Sequence, residues 1–262
     1  ISLSTLPYMI WIGPIFPGWR DNVTRNRVNR SLRNLVSLIH KKDYLSSIIA
    51  KLPIQWLGVR HANFALTSEP LQQRPNSFIG PETRIIQGNH PDFSLYLDYL
   101  DEDHQEKDQA VFIDQNLPFH HDLQHTRTKG IEPEPYYEAL ERFFKHVERT
   151  LGLKVVVALH PRADKEQIQG YFPGRKLVHH ATHRLVLESR LVLAHSSTTI
   201  SMAIMAYKPL IIITTDGLWK LGVERMFEQA ISNAAGVPLI FADGILPDDM
   251  APVMTIDREC YD

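Results

Sequence analysis

The stretch LKVVVALHPR (residues 153–162) decides the fold. Between Leu153 and Leu159 only Lys154 is polar, and the run is continuous rather than alternating. A segment of this length and β-branched content predicts a strand covered on both faces, the pattern of a parallel sheet. Upstream, Tyr137, Leu140, Phe144, Val147 and Leu151 share one helical face, introduced by Pro133 and Pro135 and ended by Gly152. Downstream, the pattern predicts a helix near 165–169, a short strand at 176–178, a helix at 182–189 and a strand at 191–194. A helix at 198–207 and a strand at 210–214 follow, and residues 111–113 form an earlier strand. Strands alternating with helices in this order predict a doubly wound α/β domain with a parallel sheet.

The amino-terminal half reads differently. Residues 55–59, 64–67 and 84–87 are predicted strands, and Phe93, Tyr96, Leu97 and Leu100 fall at helical spacing after Pro91 and Asp92. Residues 98–108 hold six acids and one Lys, so the domain boundary is expected there, giving domains 1–108 and 109–262. At 108 residues the first domain is short for a nucleotide-binding type, and is expected to be reduced or truncated. Residues 20–42 carry seven basic side chains and one acid, with Val28, Leu32, Leu35, Val36 and Ile39 at helical spacing. The preferred reading is a solvated basic face packed on its own domain; the functional reading is contact with an anionic membrane surface or an acidic acceptor. Residues 1–19 are uncharged, yet Pro7, Gly13, Pro14, Pro17 and Gly18 interrupt them too often for a spanning helix or a signal-peptide core. No transmembrane segment is expected, and the opening Ile1 leaves room for an upstream piece.

Composition narrows the function classes. Of 262 residues 44% are hydrophobic, an ordinary globular composition. The 12 basic and 11 acidic residues up to position 108, against 16 and 19 after it, leave no positive field suited to nucleic acid. Cys260 is the single cysteine, which excludes internal disulfides and cysteine-rich zinc modules and fits a reducing compartment.

In an open parallel sheet ligands bind beyond the carboxyl ends of the strands, so the residues after each apolar run carry the information. These are Asp114, Gln115, Asn116, Pro118 and His120; His160, Pro161 and Arg162; His195, Ser196, Ser197, Thr198 and Thr199; and Thr215, Asp216 and Gly217. Four consecutive hydroxyls between a strand and a helix exceed what a cap needs. Free backbone N–H groups and the helix dipole there predict a phosphate site. His160 and Arg162, with Pro161 shaping the turn, are expected to neutralise a departing phosphate, one sheet position from the hydroxyl turn. A second His-Pro pair, His90 and Pro91, precedes a helix and reads as structural. His120, His121 and His125, like His179, His180 and His183, have zinc-like spacing but no recognisable carboxylate or thiolate partners, so no metal is expected. The absence of GxGxxG, P-loop and GxSxG patterns argues against dinucleotide oxidoreductases, P-loop kinases and the usual serine hydrolases.

At these residues the sequence resembles bacterial surface-polysaccharide glycosyltransferases of the GT-B type, especially the sialyltransferase-like and Kdo-transferase-like groups. The resemblance rests on His160 and Pro161, and on Ser196, Ser197 and Thr198 leading through a helix to Lys208 and Pro209. VFIDQNLPFH (111–120) and NHPDFSLYLDYL (89–100) add to it, so that it spans residues 89–215. It implies a GT-B-like pair of Rossmann-like domains, the carboxy-terminal one holding a CMP-sugar or other nucleotide-sugar. His160, Ser196 and Ser197 would contact its phosphate, and a glycan or glycolipid acceptor would enter between the domains. Transfer would be metal-independent and need no cofactor, in the cytoplasm or at the inner face of the membrane, with no nucleic-acid partner. Its carboxylate base is left open between Asp103 and Asp114: the related enzymes place Gly after an acidic pair, whereas Asp101, Glu102 and Asp103 precede His104. Alternatives are a CDP-glycerol-type polyol-phosphate transferase, a sugar-nucleotide epimerase, or a non-catalytic module of a polysaccharide assembly complex.

Overall fold

The computed structural model describes residues 9–12, 53–67, 78–89, 91–100, 105–120 and 130–261. The chain divides into two compact units, Ile1–Pro91 and Asp92–Asp262. The predicted basic helix at 20–42 lies outside the described residues.

In the first unit, β1 (Met9–Ile12), β2 (Phe64–Thr67) and β3 (Arg84–Gln87) form a parallel sheet in that order. β2 turns Ala65 and Thr67 inward, whereas every residue of β3 is exposed. β1 falls in the uncharged opening stretch, for which no element is predicted. The strand expected at 55–59 is instead a 3-10 turn, Ile54–Leu57. Pro53 fixes its entry, with its carbonyl accepting from Trp56 N at 2.9 Å, and Gly58 closes it at φ 71°, donating to Gln55 O at 3.0 Å. Trp56 is left 77% exposed, so its apolar character signals no buried strand.

The second unit holds a six-stranded parallel sheet flanked by helices. Its strands are β4 (Lys107–Ile113), β5 (Lys154–Ala158), β6 (Leu177–Val178), β7 (Ser189–Ala194), β8 (Leu210–Thr214) and β9 (Leu239–Phe241), in the order β6-β5-β4-β7-β8-β9. Counted within the unit this is 3-2-1-4-5-6, the doubly wound order. β4, β5, β7 and β8 are buried almost end to end, as their unbroken apolar runs require.

Helix α1 (Pro91–Leu100) shares its contacts with this unit, although the sequence reading groups it with the amino-terminal half. Tyr99 Oη donates to Arg184 O at 3.3 Å, and the Asp92 carboxylate accepts from Ser201 Oγ and faces His183 Nε2 at 3.4 Å. Helix α2 (Pro133–Leu151) presents Tyr136, Tyr137, Leu140, Phe143, Phe144 and Val147 to the core. Burial of each such side chain contributes about 1.5–3 kcal/mol. It ends as predicted at Gly152, whose φ of 68° is the left-handed cap conformation. Arg175 pins the helix to the sheet margin through Glu141 at 2.9 Å and Glu148 at 2.7 Å. The remaining helices are α3 (Lys165–Tyr171), α4 (Thr182–Glu188), α5 (Ile200–Met205), α6 (Asp216–Lys220) and α7 (Val223–Ala235). α6, α7 and β9 lie beyond the last predicted strand. No described helix is long and apolar enough to cross a membrane.

Candidate ligand crevice at the switch point

The strand order reverses between β4 and β7, and in this topology the crevice outside the carboxyl ends at that point is where ligands bind. The loop after β4 and the turn after β7 flank that point and are joined there by Ser196 N, which donates to Gln115 Oε1 at 3.1 Å.

Asp114 ends β4 and is 3% exposed. One carboxyl oxygen accepts from Asn116 N at 2.9 Å and the other from His160 N at 3.5 Å, so the side chain ties the β4 loop to the β5 loop. Burial pushes its pKa up to about 6, against the lowering effect of those two amides. Asn116 then turns the chain in the left-handed region at φ 52°, and its Oδ1 is buried without a hydrogen-bond partner.

His160 stands at the mouth of β5. Its Nδ1 accepts from Arg162 N at 3.2 Å, which in the neutral ring leaves the proton on Nε2. Burial, with the nearby His120 and Arg162, holds its pKa below the usual histidine value. The His120 ring lies edge-on to it at 5.7 Å between centroids, and Arg162 is exposed. The β5 mouth thus presents one fixed N–H donor beside a second imidazole and a guanidinium.

The β7 turn is engaged differently. His195 is fully buried; its Nδ1 donates to Ile213 O at 2.6 Å and its Nε2 accepts from Tyr136 Oη at 2.8 Å. Burial pushes its pKa down to about 4, so this ring is a neutral strut. Ser196 N donates to Gln115 Oε1 at 3.1 Å, and Ser196 Oγ donates to Glu224 Oε2 at 2.6 Å. Ser197 Oγ accepts from Thr199 N at 3.3 Å, a local turn contact, while Thr198 is exposed. The helix that follows, α5, has six residues.

Glu228, one turn beyond Glu224 on α7, is fully buried 3.7 Å from His195 Nδ1, and neither carboxyl oxygen has a hydrogen-bond partner. Burial pushes its pKa up to about 7. The nearby Thr214 hydroxyl, outside hydrogen-bond geometry, offsets part of this, and Glu224 adds to the rise.

Of the predicted site residues, Asp114, His160, Pro161 and Arg162 come together on one side. Ser196, Ser197, Thr198 and Thr199 lie on the other. The expectation that His160 sits one sheet position from the hydroxyl turn is corrected by the strand order: β4 lies between β5 and β7. Two strand spacings, about 10 Å, separate the two mouths. Asp103, His90, His121 and His125 are outside the described residues. His183 faces Asp92, and among the described residues no group of three His, Cys, Asp or Glu side chains could hold a metal ion. Sequence reading missed Glu224, Glu228 and Tyr136. Its usable signal was an acid at 228 on the stripe that carries Ile231 and Ala235 inward. No protein-family model and no curated protein matches the chain, so the resemblance stands on the motifs quoted above.

Proposed function

We propose that Asp92–Asp262 is the donor-binding half of a GT-B-like glycosyltransferase that uses a nucleotide-sugar, CMP-activated as in sialic acid or Kdo donors, to extend a surface glycan in the cytoplasm. The observation that carries this reading is the placement of His160, with Nδ1 engaged by Arg162 N, beside the switch point of a 3-2-1-4-5-6 sheet. Nε2–H of His160, with Arg162 alongside, would stabilise charge on the departing phosphate without a metal. In the β7 turn the Ser196 amide and hydroxyl are committed to Gln115 and Glu224, which favours the β5 mouth for the phosphate.

Transfer then runs by attack of an acceptor hydroxyl on the anomeric carbon, with the C–O bond to the nucleotide breaking and the hydroxyl proton passing to a carboxylate. Both Asp114 oxygens face backbone amides, a geometry that suits a loop clamp and leaves Asp103 as the other candidate base. A CDP-glycerol-type polyol-phosphate transferase or an epimerase would use the same anion site, and product analysis separates them.

The test is thermal unfolding with CMP, CDP and UDP. At a hundredfold excess over Kd the preferred nucleotide should stabilise by about 2.7 kcal/mol, a rise of roughly 5–10 °C, and at the same concentration His160→Ala should cut this to about 0.3–1.3 kcal/mol. No shift with any nucleotide overturns the reading. Nucleotide affinity without release of CMP from a CMP-sugar would assign the chain to a non-catalytic module.

A further inference from the structure

Ser196 holds two side chains at once. Its amide fixes Gln115 through Oε1, and its hydroxyl fixes Glu224 through Oε2. The acceptor facing an N–H must be the amide oxygen, so the orientation of Gln115 is settled and its Nε2 is turned away from Ser196. Among the described residues neither Gln115 Nε2 nor Glu224 Oε1 has a hydrogen-bond partner, and both residues are only partly buried. The switch point is therefore flanked by an oriented amide donor on the β4 side and an oriented carboxylate acceptor on the β7 side. Next to Gln115, Asn116 adds a buried Oδ1 with no partner, on a backbone held at φ 52°. Such left-handed non-glycine residues persist where the surroundings enforce them, and they concentrate at binding sites.

A carboxylate beside an amide N–H is the wrong chemistry for a phosphate and the right chemistry for hydroxyls, each of which donates one hydrogen bond and accepts another. We infer that Gln115 and Glu224 form a diol-reading pair, with Ser196 as the residue that positions both, and that the pair takes neighbouring hydroxyls of the ligand whose phosphate lies at His160. The inference rests on the nucleotide-sugar reading for the identity of that ligand. The diol is the nucleoside ribose or the transferred sugar, and the same chemistry serves either.

The experiment measures affinities by calorimetry for the whole chain with cytidine, CMP, 2′,3′-dideoxy-CMP and a fluorinated CMP-sialic acid that does not transfer. It uses wild type, Glu224→Ala, Glu224→Gln and His160→Ala. Glu224→Gln keeps an oxygen for Ser196 and removes only the charged acceptor, so it guards against loss of folding. If the diol is ribose, wild type should bind CMP on the order of 10- to 100-fold more tightly than dideoxy-CMP, the worth of a hydrogen bond to a charged group. Both Glu224 variants should then lower CMP affinity and leave dideoxy-CMP unchanged. If the diol is on the sugar, only the fluorinated donor should respond to Glu224. A merely structural Glu224 would weaken all four ligands alike, and that uniform loss overturns the pair, as does no response in any of them. Glu224-dependent cytidine binding with CMP no tighter than cytidine would keep the pair and remove the phosphate reading. Absence of binding by all four ligands to wild type would overturn both.

Discussion

The two halves of the carboxyl rim of the second sheet differ in chemistry although one topology builds both. On the β6-β5-β4 side stand imidazoles: His160 with His120, and His179 with His180 at 5.5 Å between ring centroids. Asp164, the acid that follows, is spent capping α3 through Glu166 N and Gln167 N. On the β7-β8-β9 side stand carboxylates: Glu224 on Ser196, Glu228 behind His195, and Asp243 accepting from Asp216 N at 2.8 Å. Asp114 sits on the divide. Strand order sets where a ligand can lie, and the side chains set which way round it lies; on the proposed reading, the phosphate faces the imidazoles and the hydroxyls face the carboxylates.

The largest effect should come from breaking the strut under the carboxylate side. His195→Ala would strand Tyr136 Oη and Ile213 O in a dry cavity, at a cost of about 3–5 kcal/mol in urea unfolding. A loss below about 1 kcal/mol would show the site to be wetter than its burial implies.

Next is the buried acid. Glu228 has a folded-state pKa near 7, above its ordinary 4.5, so the folded state holds its proton more tightly and stability falls as pH rises through that window. His195, pushed down to about 4 from 6.5, has the opposite effect, costing stability as pH falls below 6.5. Glu228→Met should therefore stabilise the protein at pH 8 by about 2–3 kcal/mol, have little effect near pH 4.5, and move the stability maximum to higher pH. Equal effects at both pH values would refute the assigned cause.

On the imidazole side, His160→Ala should remove about 1.5–3 kcal/mol of nucleotide binding while changing unfolding free energy by less than about 1 kcal/mol. Arg162→Ala, at an exposed position, should cost about 0.5–1 kcal/mol of binding and lose that effect in high salt. If Arg162 outweighs His160, the phosphate lies further out than the β5 mouth.

How much of this could be read in advance depended on the range of the signal. The strand at 210–214 and the cap at Gly152 were legible because each is a local event: an unbroken apolar run, or a glycine closing a periodic face. The turn at 54–57 misled because Trp56 and Leu57 look like strand residues while Pro53 and Gly58 close them into a turn. Within α7, the stripe through Ile231 and Ala235 and the stop at Gly236 were present in the sequence but lay past the last strand read. Glu224 could not have been joined to Ser196, because they stand 28 positions apart with a strand and two helices between them, whose path has no local signature.

By itself the sequence determined that the second unit is a parallel α/β layer and which side chains stand at its strand mouths. Burial periodicity and the placement of residues after each apolar run depend only on neighbours along the chain. The tertiary structure alone decided that β4 lies between β5 and β7. That order separates His160 from Ser196, gives Ser196 to Gln115 and Glu224, and seals His195 and Glu228 in the core. Crossover direction and strand pairing arise from packing between residues far apart in the chain, which no local pattern encodes.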